Sequence, residues 1–425
     1  MSLRNWQPNR GVQLLPSPQP GFGVQLERLH WSSRFASPAD DMASPASSDS
    51  DQVLVEANGS TRTLILNRPK QLNALSSAMV TGLLKCFTSY EEENTVKLLI
   101  VKGNGRAFCA GGDVAEVAQS INNDSWKYGA DFFRTEFLLN YIIATYSKPQ
   151  VSLLTGIVMG GGAGVSIHGR FRVATENTVF AMPETALGLF PDIGASYFLS
   201  RLPGFYGEYV GLTGARLDGA EMLACGLATH FVPLNRMSLL EESLKRVDAS
   251  DPFAICGIID QFSKQPSLKG SSSLNRMDII NRCFSKGTVE EIISTLEQEA
   301  PSVSDKLVTA AIQSLRKASP TSLKISLASI REGRLQTVGE CLRREYRMVC
   351  HVMRGDFSRD FFEGCRAILV DKDRNPKVIY YFIFILDFRN CIRQCISSGV
   401  PSESYCIVLV HLLIAVDAAN SGSSA

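Results

Sequence analysis

From residue 52 the chain alternates apolar and polar side chains, QVLVEANGSTRTLILN (52–67), with a break at Asn58-Gly59. Alternation is the period of a half-buried strand, and Asn-Gly accepts the positive φ values of a type I′ turn. A β-hairpin is therefore predicted. A helical pattern covers 76–90, and the apolar run KLLIV (97–101) reads as a strand. The glycine-bearing loop KGNGRAFCAGGD (102–113) leads to a long helical stretch around 125–146. Pro149 precedes a second strand, QVSLL (150–154), a second glycine loop, TGIVMGGGAG (155–164), and the helix-like VSIHG. Short strands RVAT (172–175) and TVFA (178–181) then lead into AMPETALGLFPDIGAS (181–196), and from about 205 to 375 the periodicity is helical. Strand–loop–helix alternation followed by helices implies an α/β core over 51–235 with a helical cap over 236–377, rather than two independent domains.

The two ends depart from this pattern. Residues 1–39 hold Arg4, Arg10, Arg28 and Arg34 with Glu27 as the one acid, and run into a Ser/Ala/Pro-rich stretch through Ser50. That composition fits a transit peptide over 1–50, with the mitochondrial matrix favoured over the plastid; the competing reading is a plain disordered tail. After Lys377 come VIYYFIFIL (378–386) and CIVLVHLLIAV (406–416). Each is short of the roughly 20 apolar residues a membrane helix needs, so 378–425 reads as an atypical apolar tail and no membrane span is expected.

Charge narrows the function classes. With 43 basic against 42 acidic residues, the total carries no basic field suited to nucleic acid. Eleven cysteines form no CxxC and no zinc-like cluster, which fits reduced packing cysteines, and no metal or redox cofactor is called for.

Candidate chemistry begins at the glycine loops. GGGAG (160–164) lacks the GK[ST] of a phosphate loop, and Ile167 stands where a dinucleotide fingerprint needs glycine. A strand that feeds a helix through glycines does expose backbone N–H groups at the helix start, where the dipole favours negative charge. AGGD (110–113) has the same build, ending in an Asp suited to capping. Two such loops can offer one N–H each to a single oxygen; the competing reading is that the glycines let helix pack on strand. In 181–196, Glu184 and Asp192 each follow a proline, with no Lys or Arg between Met182 and Ser196. Asp192 is placed to cap a helix starting at Ile193, and Glu184 to sit in a first helical turn. An apolar, cation-free setting also raises carboxyl pKa values, the mark of an acid–base site.

NRPKQLNALS (67–76), GRAFCAGGDV (105–114), the stretch 156–204 and FFEGCRAILVDKDRNPK (361–377) resemble the crotonase (enoyl-CoA hydratase/isomerase) superfamily, and within it the 3-hydroxyisobutyryl-CoA hydrolase branch, in a plant-type organellar form. The resemblance covers roughly 52–377. It implies a ββα spiral core with a helical C-terminal region, an acyl-CoA substrate, CoA as part of that substrate, and room for a homo-oligomer. It implies an oxyanion hole from the N–H groups of Gly112 and Gly161. It also implies that Glu184 acts as nucleophile or general base, that Asp192 orients substrate, and that Glu136 contacts substrate. Hydratases of the superfamily carry a catalytic glutamate at the position of Gly164, so glycine there points to thioester hydrolysis, in valine catabolism. A hydratase or isomerase, and a non-catalytic structural subunit of a mitochondrial assembly, are the rival readings. Ser166 and His168 do not share a helix face and make a poor Ser–His pair. Arg68, Lys70 and Arg106 stand near loops where CoA phosphates could lie, although solvated surface charge accounts for them as well. Two departures from the branch are Ala195-Ser196 beside the pocket, expected to narrow the acyl site, and the sequence after Lys377.

Overall fold

Two sheets share the chain between Val53 and Phe231, and the chain crosses from one to the other at each turn of a spiral. The computed structural model describes residues 52–122, 126–300, 306–355 and 358–377; the expectations for 1–50 and 378–425 lie outside them. The strands are β1 (Val53–Asn58), β2 (Thr61–Leu66), β3 (Leu98–Gly103), β4 (Ala107–Cys109), β5 (Gln150–Leu154), β6 (Ile157–Met159), β7 (Phe171–Ala174), β8 (Val179–Ala181), β9 (Leu217–Asp218) and β10 (His230–Phe231). One sheet has the order β1-β2-β3-β5-β7-β10 and the other β4-β6-β8-β9. Each turn thus contributes one strand to the first sheet and the next to the second, followed by helix: the crotonase-type ββα spiral.

The hairpin forms with a different turn from the expected one. Asn58 pairs with Thr61, so the ladder runs one residue further and the central residues are Gly59 and Ser60. Positive φ falls on Gly59 (+54°) and not on Asn58 or Ser60, the pattern of a type II′ turn. All other pairings in the first sheet are parallel. A parallel sheet is covered on both faces, and the period of two sorts its side chains between two apolar clusters. Leu99 and Val101 of β3 face the main core, whereas Leu98 and Ile100 join Val151, Leu153, Phe171 and Val173 under the helices Leu234–Lys245 and Pro252–Phe262.

Helix α1 (Ser77–Glu92) starts where the pattern placed it, with Ser76 Oγ accepting from Met79 N–H at 3.2 Å. The long helical stretch expected around 125–146 is α3 (Trp126–Ala144), and a helix that was not expected, α2 (Val114–Asn122), precedes it. Strands β4 and β6 lie inside the two segments read as glycine loops. The expected helix VSIHG is instead a single turn earlier, α4 (Gly161–Gly164), with turns following it. From Tyr206 to Cys365 the described chain is helical apart from β9 and β10. The described residues belong to one compact unit. Among the described residues, no helix is long and apolar enough to cross a membrane.

Candidate active site

Strands β4, β6 and β8 are parallel neighbours, with Cys109 beside Val158 and Met159 beside Ala181. Their C-terminal ends therefore deliver three segments to one edge: Gly111-Gly112, Gly160-Gly161 and Met182–Glu184. Gly111 (φ +116°) and Gly160 (φ +46°) take positive φ, a conformation open to glycine and rarely to other residues, at the point where each strand turns away. A Cβ built on Gly161 would lie 2.3 Å from Glu136 Oε1 and 3.0 Å from Gly112 N, and one on Gly160 would lie 3.0 Å from Glu184 Oε1. The two loops and two carboxylates singled out in the sequence thus meet at one point. The bonds that hold these loops run from Leu75 N–H to Gly111 O (2.8 Å), Asp113 N–H to Leu75 O (2.9 Å) and Ala163 N–H to Gly160 O (2.8 Å). They use neither the Gly112 nor the Gly161 N–H. The packing explanation for the glycines applies to Gly162, whose Cβ would lie 2.4 Å from Cys109 O.

Glu136 projects from α3, and Glu184 opens the short 3₁₀ turn Glu184–Leu187 after Pro183, as expected. Both are buried, and Glu136 Oε1 and Glu184 Oε2 have no hydrogen-bond partner among the described residues. Burial pushes the carboxyl of Glu136 up to about 8. Burial, and then the Glu136 charge against a bond from its own backbone N–H, pushes Glu184 to about 8. Asp192 is also raised well above the usual range, by burial first and then by the charges of Glu136, Glu184 and Glu345. The structure brings Gly112, Gly161, Glu136 and Glu184 together, and Asp192 lies near enough for the charges of Glu136 and Glu184 to act on it.

Raised carboxyls make the fold sensitive to alkali. The folded state keeps protons that the unfolded chain releases near its ordinary pKa of about 4.5, so their contribution is present below that value and lost as pH climbs to about 8. Each such group weakens the fold by up to roughly 1.4 kcal/mol per pH unit in that window. Glu136→Gln, which cannot ionise, should therefore unfold at a higher temperature than the unsubstituted protein near pH 8, with the gap closing near pH 4.5; thermal melts across that range measure it.

Asp192 does not cap a helix. Ile193 has φ +58° and Gly194 φ +78°, and helix α5 (Ala195–Leu199) starts after Gly194. The turn is held from elsewhere. Glu345, on the helix Val338–Arg354, accepts from Gly194 N–H (2.6 Å), Ser196 N–H (3.0 Å) and the Ser196 hydroxyl (2.5 Å). His168 Nε2–H donates to Ile193 O at 2.7 Å, and burial lowers its pKa to about 4, which keeps the ring neutral. Ser166 donates to Gly162 O at 2.7 Å, so no Ser–His pair forms. The Ser196 hydroxyl, expected to narrow the acyl site, is directed to Glu345 and Arg344 instead. Arg68 is neither free nor solvated: its Nη1 donates to Asp113 (3.0 Å) and Ala74 O (2.6 Å), bracing the Gly112 loop. Lys70 and Arg106 are exposed.

At Gly164 a Cβ would lie 2.7 Å from Asn140 Nδ2 and 3.0 Å from Ile193 Cβ. A larger side chain at 164 has no room, because Asn140 fills the place. Sequence reading missed Asn140, although it lies one turn after Glu136 on α3, a spacing that puts both on one face. It also missed Glu345, which has no local signal. A separate grouping, His230, Cys256 and Asp260, lies on β10 and the helix Pro252–Phe262 with ligand-type atoms 3.5–3.7 Å apart. It shares no side chain with the carboxylates above.

Residues 61–380 match the family described as enoyl-CoA hydratase/isomerase. Over 326 residues (77% of this chain and 86% of the relative) the sequence is 68% identical to "3-hydroxyisobutyryl-CoA hydrolase 1" of Arabidopsis thaliana. It is 43% identical over 331 residues (77% and 84%) to the human protein named "3-hydroxyisobutyryl-CoA hydrolase, mitochondrial". It is also 43% identical over 353 residues (83% and 86%) to "Small ribosomal subunit protein mS47" of Arabidopsis thaliana.

Proposed function

The chain belongs to the enoyl-CoA hydratase/isomerase family, and on that premise we propose that it is a hydrolase of the thioester bond of 3-hydroxyisobutyryl-CoA. The observation that carries this reading is the buried Glu184 carboxyl, its Oε2 without a partner among the described residues, against the Gly160–Gly161 loop that meets Gly112, with glycine and not a further carboxylate at 164. The 68% identity to a protein named for this activity supports the acyl group.

In this mechanism the thioester oxygen accepts from the Gly112 and Gly161 N–H groups, which hold the charge that develops on it. An oxygen of ionised Glu184 attacks the carbonyl carbon, the C–S bond breaks, and the CoA thiolate leaves and takes up a proton. Water then hydrolyses the mixed anhydride and restores the carboxylate. In the other version Glu184 takes a proton from a water that attacks, and passes it to the departing sulfur. Hydroxylamine separates the two: a hydroxamate on Glu184 during turnover supports the anhydride, and its absence sinks that route. Asp192 orients the substrate hydroxyl, and Glu136 lies against the oxyanion-hole loop. Free-thiol release from 3-hydroxyisobutyryl-CoA is the direct test. The likeness to mS47 favours a second reading, a subunit without catalysis. Thiol release from no 3-hydroxyacyl-CoA would leave that reading standing and remove the first.

Both versions require Glu184 as carboxylate, so kcat/KM should rise with pH through about 8 and level above it. Since the Glu136 charge helps to raise Glu184, Glu136→Gln should move the midpoint to lower pH. A pH–rate profile with no acidic limb between about 6 and 9 contradicts the assignment.

The site of action in this reading is the mitochondrial matrix, supported by the Arg-rich, acid-poor residues 1–39 and by the name of the human relative.

A further inference from the structure

We propose that Asn140 is a specificity residue of this site, its side-chain amide donating to the 3-hydroxyl of the acyl group while that hydroxyl donates to Asp192. The inference rests on the hydrolase reading above and adds to it the residue that would tell a hydroxylated acyl chain from a plain one.

Asn140 is fully buried, and neither Nδ2 nor Oδ1 has a hydrogen-bond partner among the described residues. An amide brings two donor hydrogens and two lone pairs, and native interiors rarely leave all of them unused. Its neighbours on the same helix show what such groups do here. Phe133 and Phe137 go into the apolar core, whereas Glu136, one turn earlier on the Asn140 face, reaches the Gly161 loop with an equally unpartnered oxygen.

The position fits the hydroxyl rather than the carbonyl end of the substrate. Gly161, whose N–H would hold the thioester oxygen, begins α4, and Gly164 ends it, roughly 4.5 Å further along the axis. Asn140 Nδ2 lies at that far end, 2.7 Å from where a Gly164 side chain would begin. Beside it, at 3.0 Å from the same point, is Ile193, the residue directly after Asp192. C3 of an acyl group is two carbon–carbon bonds from the thioester carbon, so its hydroxyl falls within reach of this end. A hydroxyl both accepts and donates, and in this proposal Asn140 of α3 supplies the donor and Asp192 of the 191–194 turn the acceptor. A site built to bond a hydroxyl also disfavours the analogue without it, because its own polar groups are then left unpaired.

The test compares kcat/KM for 3-hydroxyisobutyryl-CoA and isobutyryl-CoA in the unsubstituted protein and in Asn140→Leu and Asn140→Ala. Leu keeps the branched shape, Ala avoids overpacking, and both remove the buried amide without leaving a group that can donate. The preference for the hydroxylated substrate should shrink by roughly 10- to 100-fold in both variants. Nearly all of that loss should fall on 3-hydroxyisobutyryl-CoA, with isobutyryl-CoA changed by less than about threefold. A parallel fall on both substrates, as expected if Asn140 held the attacking water or merely the fold, overturns the proposal. So does an unchanged preference. If Leu prevents folding, the Ala variant decides by the same ratio. An unsubstituted protein that releases thiol from neither substrate refutes the hydrolase reading itself, a result distinct from a preference that Asn140 does not control.

Discussion

Replacing Glu184 with Gln should lower kcat for 3-hydroxyisobutyryl-CoA by at least about 10²–10⁴-fold if the carboxylate is a general base, and by more if it is the nucleophile. The substitution is nearly isosteric, and the carboxylate has little structure to lose: Oε2 is buried and unpaired. The 3₁₀ turn is held by backbone bonds, Leu189 N–H to Glu184 O at 3.0 Å and Ala186 N–H to Pro183 O at 3.1 Å. A neutral amide in place of a carboxyl that burial pushes to about 8 also removes an alkali-sensitive group. The variant should therefore melt no lower than the parent near pH 8 while turning over far more slowly. The two readouts together separate a chemical role from a structural one. Thiol release at the parental rate from a folded Glu184→Gln protein would remove both mechanistic versions at once.

What could be read from the chain divides by the distance over which each feature is determined. Strands β3 and β5 and the hairpin are local: continuous or alternating apolar runs with glycine or proline at their ends. Glu184 in a first helical turn is local too, since Pro183 presets it. Strands β4 and β6 were hidden because three residues flanked by glycine have no period of their own, and pair only when the spiral sets them side by side. The turn at Asp192 failed for a similar reason. A short polar residue after a proline resembles a cap, yet the left-handed conformation of Ile193 and Gly194 is held by His168 and by Glu345, the latter about 150 residues further on. Asn140 had a usable signal, its spacing from Glu136, but an asparagine inside an amphipathic helix carries no mark of burial. Only the fold shows that its face is turned inward. Glu184 and Asp192 were recognisable because each follows a proline in an apolar stretch, whereas Glu136, in an ordinary helical setting, came only from the family resemblance. Residues that hold those features in place have ordinary surroundings.

Gly161→Ala should remove most of the thiol release while leaving the protein folded. The added carbon would lie 2.3 Å from Glu136 Oε1, 3.0 Å from the Gly112 nitrogen and 3.2 Å from Leu75 Cδ1. Real Cβ atoms do not approach a carboxylate oxygen that closely, so either Glu136 swings away or the α4 turn retreats. In both cases the methyl stands where the thioester oxygen must lie between the two N–H groups. Loss of one oxyanion donor typically costs about 10²–10³-fold in rate, and obstructing the space between two should reach at least that. Gly162→Ala provides the contrast. Its Cβ would strike Cys109 O at 2.4 Å, in the packing of helix on strand, and should lower stability first. Gly161 itself is not in a left-handed conformation, so alanine there meets no backbone penalty, and folding should suffer less than at 162. The expected pattern is a folded, nearly inactive Gly161→Ala and a destabilised Gly162→Ala, read by melting temperature and thiol release on the same preparations. Gly161→Ala with parental kcat/KM would mean that its N–H faces something other than the reacting oxygen, and the oxyanion hole would have to be sought elsewhere along these loops.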